Sequence, residues 1–158
     1  MNTIIKKIKG FALIEVIVGV SILAFCLLGI ISVGQGFLRL SFQSFQVAQA
    51  NFLLEEGAEV ARAFRDTSWT NISGLNTSGT KYYLNYSGGK WATTTTPIVI
   101  DNVFYRYITA SSVYRDGNDD IKPSGTLDDG TRKITVTATW KTSMGTTTRT
   151  VMEYLTNI

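Results

Sequence analysis

From Phe11 to Leu38 the chain is apolar at almost every position, and Glu15 is the only charged side chain in the run. A helix crosses the hydrocarbon of a bilayer in about 20 residues, so this run predicts a membrane-spanning helix. Beyond Arg39 the pattern becomes one-sided. Leu53, Gly57, Val60 and Phe64 recur at helical spacing, while Asn51, Glu55, Glu59, Arg62 and Asp66 fall on the opposite side. No stop signal intervenes, so one continuous helix from Phe11 to about Asp66 is the simplest account. Its weakest point is Gly34-Gln35-Gly36, because glycine in a helix interior costs about 1 kcal/mol, and any bend is expected there. Gly57 lies in the inward stripe and predicts that a sheet packs close against the helix.

The side chains of Asp66, Thr67 and Ser68 compete for backbone hydrogen bonds, which ends the helix between Asp66 and Trp69. An Asn-, Ser-, Thr- and Gly-rich stretch then reads as a surface connection to about Thr80. The remainder alternates with a period of two. Residues 81–86, Ser87-Gly88-Gly89-Lys90 and Trp91 onward form a hairpin pattern with a glycine turn, and residues 103–114 form a longer apolar and aromatic strand. Ile134, Val136, Ala138 and Trp140 alternate with Lys133, Thr135, Thr137, Thr139 and Lys141, the pattern of a strand with one dry and one wet face. A turn at residues 143–145 should return the chain as an antiparallel strand over 147–155. The expected fold is α+β: a long N-terminal helix, membrane-spanning in its first half and amphipathic in its second, packed on a C-terminal antiparallel sheet of three or four strands.

Lys6, Lys7 and Lys9 precede the apolar run and only Arg39 directly follows it, so the positive-inside tendency keeps the N-terminus cytoplasmic and exports the rest. A cleavable signal peptide has a shorter apolar core of about 7–15 residues. A plain signal anchor fits the length but not Glu15. An ionised carboxylate in hydrocarbon is costly and calls for a partner.

Lys9-Gly10 followed by Phe11-Ala12-Leu13-Ile14-Glu15-Val16 and an apolar helix resembles the start of type IV pilins and of the pseudopilins of type II secretion and competence systems. The resemblance implies that a membrane-embedded prepilin peptidase cuts between Gly10 and Phe11 and methylates the new terminus at Phe11. It also implies partners: other pilin subunits, an inner-membrane assembly platform, and membrane lipid before assembly. Ala12 stands where threonine is more usual. Cys26 is the only cysteine and lies within the apolar run, so the C-terminal disulfide common in the type IVa class is absent. The implied organisation is a leader over 1–10, a filament-core helix over 11–38, its amphipathic continuation over 39–66 and a β-rich domain over 67–158.

Physical chemistry gives these residues their own logic. Gly10 lets the backbone enter a protease site without a side chain in the way. Cutting after it creates an α-amine four residues before Glu15, roughly 6 Å along a helix. A buried charge without a partner is strongly unfavourable, so Glu15 should pair with an amine, its own or a neighbouring subunit's. A contact from one subunit's carboxylate to the next subunit's amine is head-to-tail, and such contacts propagate into open filaments.

The rest of the composition mainly narrows the choice. Fifteen basic residues oppose twelve acidic ones, and losing Lys6, Lys7 and Lys9 leaves twelve of each, so net charge gives no nucleic-acid site. There is no histidine, no cysteine outside the membrane run and no phosphate-binding loop, so an enzyme is not expected. Glu55 and Glu56 are adjacent on a helix and read as solvated. One loop has metal-ligand chemistry: Asp116, Asn118 and Asp120 occupy the first, third and fifth positions of an EF-hand-like calcium loop. However, Ile121 replaces the required glycine and Leu127 the bidentate glutamate, so a turn without an ion is the commoner arrangement and no other cofactor is expected.

Three functions are compatible with this pattern. The first is a subunit of a type IV pilus-like filament for adhesion, motility or DNA uptake. The others are a secretion pseudopilin and a tethered β-domain that binds an extracellular ligand without polymerising.

Overall fold

A computed structural model describes residues 9–142 and 145–158, with side chains from Leu13 onward. Lys6 and Lys7 lie outside the described residues, as do the side chains of Lys9 and Phe11 and the first two positions of the 143–145 turn. Two compact units are present, Met1–Gln46 and Val47–Ile158. Helix α1, Lys9–Thr67, contributes to both.

In the first unit α1 is unbroken, including Gly34-Gln35-Gly36. Between Leu13 and Leu38 every large apolar side chain is at least 50 % exposed, so this apolar surface has no partner among the described residues. Ser21 and Ser32 donate their hydroxyls to the carbonyls of Ile17 at 2.7 Å and Leu28 at 2.9 Å. Such internal bonds are what a hydroxyl requires in lipid.

In the second unit the last part of α1 packs on an antiparallel sheet. Sequence pattern alone would give three or four strands, but seven form: β1 (Tyr82–Ser87), β2 (Lys90–Thr94), β3 (Val99–Ile100), β4 (Phe104–Arg115), β5 (Ile121–Lys122), β6 (Thr126–Thr142) and β7 (Gly145–Thr156). The main order is β2-β1-β4-β6-β7, and both β3 and β5 pair with β4. Strands as short as β3 and β5 carry no readable alternation, which is why sequence reading misses them. Gly88 and Gly89 both have positive φ, 61° and 77°, and close the β1–β2 hairpin as a two-residue turn.

The dry face of the sheet is the expected one. Phe104, Ile108, Ile134, Val136, Ala138 and Trp140 are all buried, with the Phe104 and Trp140 rings 5.6 Å apart. The inward face of the helix is centred on Ala50, Leu54, Gly57, Ala58 and Ala61. Val60 is buried as its spacing predicts, and Leu53 and Phe64 are half-buried against the same core. Small residues dominate because the helix lies close to the sheet. A Cβ on Gly57 would come within 2.5 Å of Val136 Cγ1.

Three further differences have physical reasons. The polar stretch after Thr67 contains a four-residue helix, α2 (Thr70–Ser73), which buries Ile72 completely in the core. Thr137, expected on the wet face, is buried because β6 lies between β4 and β7, where Tyr107 and Thr150 flank it. Glu56 is not simply solvated. Its carboxylate accepts a hydrogen bond from the guanidinium of Arg106, which is 3 % exposed on the dry face of β4 and stacks over Trp91. A buried charge of this kind is tolerated only with a partner.

Candidate functional site

Glu15 lies in the part of α1 with the greatest apolar exposure. It is exposed on the helix surface, and no cation pairs with it among the described residues. Gly10 and Phe11 belong to the same helix, so cleavage between them would leave the new amine on the turn preceding Glu15. Gly19, Gly29, Gly34 and Gly36 have nothing within 4 Å of where a Cβ would stand. These gaps in the side-chain layer allow another helix to approach closely. Cys26 is a free thiol on the same open surface.

The helix contains a window with a mean hydropathy of 2.8, none of it buried. Nothing in the fold explains such a surface except lipid or other apolar helices. Segment and sheet together fit a membrane-anchored α+β protein whose first helix leaves its apolar surface open.

The comparison with protein families agrees with that class. Residues 5–31 match the family model for the prokaryotic N-terminal methylation motif, so the chain carries the signature of type IV pilins and pseudopilins. The match includes Gly10, Phe11 and Glu15. No curated protein and no solved structure matches the chain. The motif implies processing by prepilin peptidase and assembly with other pilin subunits, and with the apolar helix it fits a membrane-anchored precursor.

The loop after β4 is held by its own residues. Asp116 Oδ1 accepts hydrogen bonds from the backbone N–H groups of Asn118 at 2.9 Å and Asp120 at 3.1 Å. Lys122 Nζ lies 3.7 Å from Asp116 and 4.0 Å from Asp120. The carboxylates of Asp116 and Asp120 thus lie beside N–H groups and an ammonium. Among the described residues no group of three or more acidic, histidine or cysteine side chains is placed to hold a metal.

Asp128, at the start of β6, has a structural task. Its carboxylate accepts from Arg115 Nε at 2.6 Å and from the Gly130 N–H at 2.9 Å. The hydrogen bond from Arg115, supported by one from Thr131, holds the Asp128 carboxyl below the usual carboxylate range. A depressed folded pKa contributes stability above the unfolded value of about 3.9 and loses it as pH falls through the folded value. Asp128→Asn should therefore melt at a lower temperature than the wild type at neutral pH, with the difference shrinking below about pH 4. Melting curves across that range check it, and a difference that grows on acidification would refute it.

Arg62 shows how a surface position can be misread. It is solvent-facing as its spacing suggests, yet it ties the helix to β7 by donating Nε to Glu153 at 2.9 Å, while Nη1 reaches Glu59 at 2.7 Å. The Glu153 hydrogen bond raises the Arg62 pKa above its ordinary value. Only the fold brings residues so distant in sequence together.

Proposed function

We propose that this chain is a structural subunit, not an enzyme, of a type IV pilus-like filament. It is processed after Gly10, methylated at Phe11 and polymerised through its N-terminal helix. Before assembly it is a single-pass membrane protein with its β-domain exported. Delivery into the filament involves an inner-membrane assembly platform. In the polymer the Glu15 carboxylate meets the terminal amine of a neighbouring subunit, which offsets the cost of placing both charges in an apolar core.

The observation that carries this reading is the coincidence, in one segment, of the methylation motif with a lone acid on an unpartnered apolar helix. Mass spectrometry of the protein extracted from its native membrane should find a mature N-terminus at N-methyl-Phe11. Gly10→Val should retain the leader, because a branched side chain blocks the backbone at the scissile position. A wild-type chain that keeps Met1, or a Gly10→Val chain of mature length, would overturn the processing step. The first result would leave a tethered, non-polymerising β-domain.

A further inference from the structure

The sheet has two chemically different faces. Toward the helix lie the core and most of the paired charge: Arg62, Arg106 and Arg132 are each matched to a carboxylate. The strand alternation puts Lys133, Thr135, Thr137, Thr139 and Lys141 of β6 on the opposite face, opposite Thr146, Thr148, Thr150, Met152 and Tyr154 of β7. Tyr105, Tyr107, Thr109 and Ser111 of β4 continue that face, and the one acid that the pairing adds beyond them, Asp128 opposite Val113, is already held by Arg115 at 2.6 Å.

Two depressions open there. One, of about 490 Å³, is lined by Lys81, Tyr83, Tyr105, Tyr107, Thr139 and Thr148 among others. The second, of about 350 Å³, includes Ser111, Tyr114, Lys133 and Tyr154. Lys81 Nζ sits 4.8 Å above the Tyr107 ring, which holds its charge beside the first depression. Lys81, Lys133 and Lys141 form no ion pair among the described residues, in contrast to the paired arginines. Three uncompensated ammonium groups on one face, with threonine hydroxyls between them, form a surface complementary to a hydroxyl-rich polyanion.

We propose that this outer face binds an acidic polysaccharide, with the lysines meeting its carboxylates and the threonine and tyrosine hydroxyls meeting its sugar hydroxyls. Both depressions are in the size range of small-ligand pockets. The same features disfavour a nucleic-acid strand. Stacking of successive bases needs neighbouring open aromatic faces, whereas Tyr83 is only 8 % exposed and packs on Tyr107, whose ring Lys81 covers, and the open rings of Tyr105 and Tyr154 stand on β4 and β7 with β6 between them. Arg115, the arginine that the β4 alternation adds at the end of this face, already donates to Asp128 at 2.6 Å and is not free for the bidentate phosphate contacts that suit arginine. The proposal does not depend on polymerisation, since every residue involved belongs to the β-domain.

The test uses the full-length protein in detergent, titrated with alginate as a polyuronate. Dextran, oligo-dT and poly-glutamate serve as neutral, nucleic-acid and peptide comparisons. Alginate should bind most tightly, dextran should not bind measurably, and affinity should fall as salt rises from about 0.05 to about 0.5 M. The combined Lys81→Gln, Lys133→Gln and Lys141→Gln variant should lose about tenfold or more in affinity. Its melting temperature should match the wild type, and Arg149→Gln, on the opposite alternation of β7 beside Ala138, should keep wild-type affinity. Absence of alginate binding, tighter binding of oligo-dT or poly-glutamate, or an unchanged affinity in the folded triple variant would each overturn the proposal. If the triple variant does not fold, the three single variants decide it by the same criterion.

Discussion

Alanine at position 57 should destabilise the β-domain by about 1–3 kcal/mol, with valine worse, although Gly→Ala in a helix is ordinarily favourable by about 1 kcal/mol. The reversal comes from packing. The new Cβ would stand 2.5 Å from Val136 Cγ1 and 3.4 Å from Arg106 Cδ. Val136 is completely buried in β6, which β4 and β7 hold on both sides, so it has little room to yield. Relief must come from moving the helix away from the sheet, which loosens Leu54, Ala58 and Ala61 together. A loss of that size lowers the melting temperature of a domain of about 100 residues by roughly 4–8 °C per kcal/mol. Thermal melting of the full-length protein in detergent, followed by tryptophan fluorescence, measures it. Gly34→Ala is the control, since its Cβ meets nothing within 4 Å and only helix propensity should change. A Gly57→Ala protein melting at or above the wild-type temperature would refute the close approach.

The Gly57 contact was legible from sequence because glycine at an inward-facing helix position chiefly serves the close approach of a second element. The long strands were legible too, since alternation over Ile134 to Trp140 needs no knowledge of partners. What escaped depends on juxtaposition. Arg106 occupies a dry position, between Phe104 and Ile108, and that misplaced charge was the one available signal for its pairing with Glu56. No signal existed for Arg62 and Glu153, or for Ile72, which enters the core from a stretch that otherwise reads as surface. The expected helix stripe holds at Gly57 and Val60, and close packing adds Ala50, Leu54, Ala58 and Ala61 beside it. The contacts within the acidic loop also depend on juxtaposition. Its hydrogen bonds and Lys122 already engage the carboxylates that spacing offered to calcium.

Glu15→Ala should abolish or severely reduce entry into filaments while leaving leader removal and membrane residence intact. Removing the acid makes the helix more apolar, so insertion should be as good or better. The scissile peptide after Gly10 is unaltered. The loss appears only on assembly, where each neighbouring amine would be buried without its carboxylate. Breaking a buried pair costs about 3–5 kcal/mol, a factor of more than about a hundred in the equilibrium for adding a subunit. Glu15→Gln separates charge from shape, since it keeps the size and a hydrogen-bond acceptor but not the ion pair. It should fall between alanine and the wild type and should not restore full assembly. The measurement is the ratio of mature protein in sheared filaments to that in membranes, with terminal mass confirming that each variant is cut and methylated. Wild-type incorporation of a processed Glu15→Ala chain would show that the acid has no charge partner in the polymer. The apolar helix alone would then have to account for assembly, through the open surface around Gly19, Gly29, Gly34 and Gly36.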